Sequence, residues 1–372
     1  MKNVLIIQKS LVQYRKDFFD QLRNALHEEG VTLSLVYGKE NEKDGLKNDE
    51  VDLEWSTYIP NKMIKLGGGN LIWQPCLREL KHQDLVIVES ANKLILNYLL
   101  MIARHFSKLK LGFWGHGRNM QDAPDSRANR FKYLFLKNCN WWFAYTAGVK
   151  EFLIEKGYPA AQITAVQNAI DTRLSLEQYA QTTDAEAAQL KAELGINSQQ
   201  VGIFCGGMYP EKQIDFLLEC CLKIKERLPD FHMIFIGSGI DAQQVRSAAD
   251  QYRWIHYVGP KFGKDRVVYF KIASLFLMPG LVGLAILDSF AFETPIVTTN
   301  YEFHSPEIEY LEPGKNGIIV DNTIDDYSHA VVDILSTGKY ELLLDYCKIS
   351  AEQYTIEAMV ENFKNGILQA LK

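Results

Sequence analysis

The sequence predicts an α/β fold of two doubly wound, parallel-sheet domains in series. Three observations carry this. Short apolar runs alternate with amphipathic stretches along the whole chain. The runs are apolar at consecutive positions, which suits strands covered by helices on both faces. The 372 residues exceed one ordinary core and suit two.

The elements follow in order. VLII (4–7) reads as a strand, and a helical pattern covers 15–28. VTLSLVYG (31–38) and DLVIVES (84–90) are strands, the second leading into a helix at 93–106. LKLGFWG (109–115), NWWFAYT (140–146) and QITAVQN (162–168) complete a first set, and the first domain is placed at 1–175. Residues 176–199 hold few large apolar side chains and read as a linker, with Thr183 or Asp184 able to cap a short helix. A second series spans 200–355, with strands at 201–207, 231–237, 255–259, 275–280, 295–299 and 317–320. A C-terminal helix at 356–372 is expected, crossing back to the first domain.

Composition narrows the function. The chain is 47% apolar and 23% charged, with a net charge of −6, which argues against nucleic acid as the main partner. Its six cysteines lie mostly in apolar segments and form no Cys-x-x-Cys pair, so reduced, buried thiols are expected. The opening MKNVLIIQKS does not read as a signal peptide. No run reaches the roughly 18–20 apolar residues of a spanning helix. A cytoplasmic location follows as an expectation.

In such folds ligands bind outside the carboxyl ends of the strands, so the residues just after each strand are the ones to read. GGMYPEK places Gly206, Gly207 and Lys212 after the first strand of the second half. Lys212 reads as a mobile point charge suited to a diphosphate; an ordinary surface lysine is the alternative. IGSG places Gly237, Ser238 and Gly239 in a tight turn, which many folds make without a ligand. MPGLVGLAILDSFAFETPIVTT (278–299) puts Gly280 and Gly283 in an apolar loop immediately before a helix. Small residues let a ligand approach the backbone, and the amides near Gly283, Leu284 and Ala285 suit an anion. Asp288, one turn into that helix, can accept two hydrogen bonds from a ribose diol, or is simply solvated. In the first half, His116 lies between two glycines at a strand end, followed by Arg118 and Asn119. Residues 104–137 form a basic region with aromatic neighbours, suited to an anionic membrane or a diphosphate-linked acceptor, or to a plain solvated face.

Together these motifs resemble glycosyltransferase family 4, nucleotide-sugar-dependent enzymes of GT-B architecture. NAID (168–171) is similar to the family's Asn-Gly-Val-Asp, GGMYPEK to its Gly-Arg-Leu-x-x-Glu-Lys, and IGSG to its Val-Gly-x-Gly. LDSFAFETPIVTT is similar to its Leu-Glu-Ala-Met-Ala-x-Gly-x-Pro-Val, and SPEIEYLEPGKNGIIV to its closing glycine motif. The resemblance implies two Rossmann-like domains facing a central cleft, a nucleoside-diphosphate sugar as co-substrate and no metal or other cofactor. It implies transfer with retained configuration to a saccharide or lipid-linked acceptor in surface-polysaccharide synthesis, with peripheral membrane contact. His116 then contacts the donor sugar, Glu307 the nucleotide or sugar, and Lys212 and Asp288 complete the catalytic set. Tyr14, Arg15, Arg118 and Asn119 fall on the acceptor side. Three departures stand out: Gly207 replaces an arginine, Gly280 replaces the first of two glutamates, and Glu293 replaces a glycine. His304 is a candidate substitute for the side chain missing at 280. A nucleotide-sugar 2-epimerase and a catalytically degenerate binding subunit are the competing readings.

Overall fold

The computed structural model describes residues 1–39, 51–66, 69–118 and 126–372. The chain divides into two compact units, Met1–Asp171 with Ile356–Lys372, and Thr172–Thr355.

The first unit opens with β1 (Lys2–Gln8), α1 (Lys16–Glu28), β2 (Val31–Tyr37) and β3 (Thr57–Tyr58). A hairpin of β4 (Lys62–Leu66) and β5 (Gly69–Trp73) follows, which periodicity did not reveal. Then come β6 (Leu85–Glu89), α2 (Ile95–Ala103), β7 (Lys110–Gly115), α3 (Arg127–Tyr133), β8 (Trp141–Ala144), α4 (Ala147–Glu155) and β9 (Ile163–Ala165). The main sheet has the order β3-β2-β1-β6-β7-β8-β9, with every pair parallel. The order reverses between β1 and β6, where the chain leaves one side of the sheet for the other.

The second unit contains α5 (Arg173–Gln181), α6 (Asp184–Leu194), β10 (Val201–Cys205), α7 (Ile214–Arg227), β11 (His232–Ile236), α8 (Ala242–Gln251) and β12 (Ile255–Gly259). It continues with α9 (Lys264–Ile272), β13 (Leu275–Leu277), α10 (Ala285–Ala291), β14 (Ile296–Thr299), β15 (Gly317–Val320), α11 (Ile324–Thr337) and α12 (Tyr340–Gln353). Its sheet runs β12-β11-β10-β13-β14-β15, all parallel, the doubly wound order with its switch point between β10 and β13. All six strand assignments made from apolar runs in this half are present.

The linker at 176–199 is a correction. These residues form α5 and α6, which belong to the second unit and pack on α9. Thr183 caps α6 through a capping box with Glu186, and Glu186 pairs with Lys264 of α9 at 3.0 Å. Polar composition marked an exposed helix pair, not a tether. The chain changes unit at Asp171, four residues before the expected boundary.

The final helix, α13 (Ile356–Leu371), packs in the first unit. Its Phe363 stacks on Phe143 of β8 at 4.4 Å and meets Phe18 and Trp114 edge-on. Gly366 lets the helix approach, since a Cβ there would stand 2.6 Å from the Thr164 hydroxyl. On the opposite face Val86, Val88, Leu111, Phe113 and Trp142 pack with Leu96, Leu100, Val149 and Leu153 from α2 and α4.

Glu293 lies between α10 and β14, at the amino-terminal end of its strand, and pairs with Lys348 of α12 at 3.4 Å. That places it at the opposite end of the strand from the carboxyl-end loops. Its φ of 49° keeps the left-handed turn that a glycine would adopt without strain. Glu293→Gly is therefore expected to stabilise the second unit by about 1 kcal/mol, because an exposed ion pair contributes little in return. An unchanged or lower urea-denaturation midpoint would refute this.

Candidate functional site

At the second unit's switch point, three loops are knitted together by backbone. After β10, the Gly206 amide donates to Ile236 and the Met208 amide to Ser238, so the 206–208 loop lies on the 237–239 loop. A Cβ on Gly237 would stand 1.9 Å from the Gly206 carbonyl oxygen, and one on Gly239 2.1 Å from that of Met208. Close packing of two strand-end loops thus accounts for both glycines without a ligand. On the other side, the Leu281 amide donates to the Glu211 carbonyl at 2.7 Å. A Cβ on Gly280 would stand 2.3 Å from that same oxygen and 2.6 Å from the Lys212 carbonyl carbon. A glutamate at 280 has no room, so its loss is built into the loop. Gly207 faces the Tyr209 ring, with a Cβ 2.6 Å from Cε1.

Lys212 ends a one-turn 3₁₀ helix, Pro210–Lys212, and is only 5% exposed. It is not a mobile surface charge. Its ammonium donates to the Leu281 carbonyl and lies 3.6 Å from the Met278 sulfur. A desolvated ammonium is thereby held inside the loop that precedes α10. There the Ile286 and Leu287 amides donate to Gly283 and Leu284. No acceptor among the described residues takes the amides of Gly283, Leu284 or Ala285.

Asp288 is 8% exposed, and both its oxygens accept from the Arg266 guanidinium at 2.9 Å. The ribose role is corrected to this extent: the diol-binding valences face an arginine. Arg266 was missed by sequence reading. A carboxylate on a buried apolar helix demands a cation, but nothing in sequence selects one 22 positions away. Arg266 is itself supported by the Phe292 ring, 5.1 Å from its Cζ. Glu307 is 3% exposed in the 3₁₀ turn Pro306–Tyr310, which follows Ser305, whose amide donates to the Val282 carbonyl at 2.9 Å.

His304 does not stand in for a residue at 280. Its Nδ1 accepts from the Val282 amide at 2.9 Å, so Nε2 carries the proton and donates to the Thr299 carbonyl at 2.8 Å. Both nitrogens are consumed in bracing the glycine loop against the end of β14. Burial, then the nearby Lys212 charge, lowers its pKa and keeps the ring neutral.

In the first unit, His116 follows β7 with its ring 4.2 Å from that of Tyr145. Its Nδ1 is buried without a partner among the described residues. Burial and the charges of Lys132 and Arg15 push its pKa down to about 3, so it is a neutral hydrogen-bonding group at physiological pH. Arg15 is corrected: it is 4% exposed, its guanidinium 4.8 Å from the Trp114 ring and its Nη1 donating to the Met359 sulfur of α13. It fastens α1 to α13 and presents little surface to an acceptor. Tyr14 is 42% exposed beside it. Arg118 lies 5.7 Å from the Phe152 ring, and Asn119 falls outside the described residues. Asn168 and Asp171 follow β9, with Asn168 buried. All six cysteines are free and buried. Among the described residues no three His, Cys, Asp or Glu side chains group as metal ligands.

Residues 199–337 match the family model "Glycosyl transferases group 1". An uncharacterized glycosyltransferase of Haemophilus influenzae is 25% identical over 172 residues, 44% of this chain and 47% of that one. A GDP-mannose-dependent alpha-(1-6)-phosphatidylinositol monomannoside mannosyltransferase of Mycolicibacterium smegmatis is 24% identical over 192 residues, 48% of each chain. The chain thus spans about half the length of these relatives. The crystal structure of Anabaena Alr3699/HepE in complex with UDP superposes on 99% of this chain and all of that one, with a TM-score of 0.70 and 14% identity. That likeness establishes the fold, two Rossmann-like units of GT-B type. The switch-point loops described above lie within residues 199–337, so the part of the chain that is similar to group 1 glycosyl transferases is the part that carries them.

Proposed function

We propose that the chain is a retaining, metal-independent glycosyltransferase. Its second unit binds a nucleoside-diphosphate sugar, and its first unit binds a saccharide or lipid-linked saccharide acceptor in surface-polysaccharide synthesis. One observation carries the reading: the region that matches group 1 glycosyl transferases holds, at its switch point, a buried ammonium and three amides that no described residue accepts from. Structures of the same fold support the donor class, including Anabaena Alr3699/HepE with UDP-glucose and the pneumococcal O-GlcNAc transferase GtfA with UDP and GlcNAc.

Breaking the bond between the sugar and the diphosphate leaves negative charge on the departing phosphate. Donors fixed beforehand at that position stabilise the charge as it develops. Lys212 is held by the Leu281 carbonyl, so its charge is placed before the donor arrives. The acceptor oxygen forms the new bond on the same face, and its proton passes to the departing phosphate oxygen. His116, neutral, serves as a hydrogen-bonding group beside the sugar. Peripheral membrane contact is supported by Phe106, Leu134 and Ile102, which are 86%, 72% and 59% exposed on the α2–α3 face. Arg104, Lys108, Arg127 and Arg130 stand near them in the sequence.

Thermal stability in UDP, GDP, dTDP and CDP tests the donor site. A diphosphate at a hundred times its Kd is expected to add about 2.7 kcal/mol. Because Lys212→Ala also removes a loop contact, the quantity to compare is the ligand-induced shift. It is expected to shrink at least tenfold in affinity; no shift with any nucleotide in folded wild type sinks the reading. With a competent donor, EDTA is expected to leave turnover unchanged and proton NMR to show a product with the donor's anomeric configuration. Inhibition by EDTA or an inverted product would each overturn that part. For the membrane face, co-sedimentation with phosphatidylglycerol vesicles is expected to weaken with salt and to be lost in a Phe106→Ser, Leu134→Ser double variant. Equal pelleting of wild type and variant would discard the contact.

A further inference from the structure

The first unit has its own switch point, between β1 and β6, and a carboxylate stands there that no motif singled out. Glu89 is the last residue of β6. One of its oxygens, Oε1, accepts from the Lys9 amide just past β1, which ties the two diverging strand ends together. No described residue donates a hydrogen bond to Oε2.

The strand register continues the row. Ile7 pairs with Val88, which sets Gln8 opposite Glu89, and Glu89 pairs with Trp114 of β7. Register neighbours in a parallel sheet project to the same face. Gln8 is 8% exposed and its Nε2 is buried without a partner among the described residues. Trp114 is 2% exposed, and its Nε1 likewise has none. Two residues on, His116 Nδ1 is also unpartnered. Native interiors rarely leave such groups unsatisfied, and each calls for a partner that the chain itself does not supply, whether water, ion or ligand. Here they gather at the carboxyl ends of three adjacent strands, where doubly wound sheets bind ligands.

We infer that Glu89, flanked by Gln8, is an acceptor-binding group that takes a hydrogen bond from a hydroxyl of a saccharide. The inference rests on the glycosyltransferase reading and specifies the chemistry of its acceptor side. Ionised, Glu89 only accepts and the Gln8 amide nitrogen only donates, so the pair fits a group that does both. A sugar hydroxyl donates to Oε2 and accepts from Nε2. An ionised diphosphate diester or carboxylate has no proton to offer and meets like charge. The charged part of a diphosphate-linked acceptor is therefore placed away from Glu89, with its sugar against it.

Binding of methyl glycosides of glucose, galactose, mannose and N-acetylglucosamine, read by saturation-transfer NMR in the presence of the stabilising nucleoside diphosphate, tests this. Glu89→Gln keeps the size of the side chain and an oxygen for the Lys9 amide. At least one glycoside is expected to bind wild type and to bind Glu89→Gln about ten- to a hundredfold more weakly, the loss of one charge-assisted hydrogen bond. Nucleotide affinity is expected to be equal in both. Glu89→Asp, which restores the charge, is expected to recover part of the loss; a merely structural role would not follow charge in this way. Equal glycoside binding by wild type and Glu89→Gln, or no glycoside bound by a wild type that binds nucleotide, overturns the assignment. A wild type that binds no nucleoside diphosphate overturns the underlying reading instead.

Discussion

The second unit's switch point depends on one strap: the Leu281 amide on the Glu211 carbonyl, and the Lys212 ammonium on the Leu281 carbonyl. A doubly wound sheet necessarily parts its loops at the switch point, because successive crossovers leave in opposite directions. The strap closes that gap. It buries a charge, which is tolerable only with hydrogen-bonding partners in place. The same bonds define the loop that leads into α10. His304 braces the loop from the far side. Positioning and stability are thus served by the same few contacts, and each restricts what its neighbours can be. Gly280 is the clearest case, excluded from carrying a side chain by the carbonyl that the strap requires.

Much of the fold was legible because a parallel sheet leaves an unambiguous trace. Strands such as Ile203–Phe204 and Ile234–Phe235 are buried on both faces, so their apolar runs have no helical alternative of that length. The hairpin of β4 and β5 left no such trace, since Lys62, Met63, Ile64 and Lys65 are all exposed. The helices α5 and α6 were hidden for a related reason. Leu190 is their only residue buried in a helix interior, so little amphipathic signal survives.

The site was legible in part. Glycine spacing located the strand-end loops, yet the reason for those glycines lay elsewhere: Gly237 and Gly239 answer to the backbone of Gly206 and Met208. Pairings were not legible at all. Asp288 with Arg266, Arg15 with Trp114 and Met359, and Glu89 with the Lys9 amide join residues far apart in sequence. The letter at each position states what a side chain offers, and only the fold states what accepts it. Glu293 shows the converse, since the letter changed while the backbone kept the left-handed turn that a glycine favours.

The return of α13 to the first unit bears on how the protein is made. The rings of Phe18, Trp114 and Phe143 find their partner Phe363 only after residues 172–355 have been synthesised. Until then the nascent first unit shows the ribosome's surroundings an uncovered aromatic face. The intervening unit, whose residues are continuous, can complete its own core sooner. Assembly on the ribosome is therefore expected to run against chain order, with the middle of the polypeptide settling before its beginning. A chain interrupted just before Ile356 would be released with its second unit whole and its first unit open to aggregation.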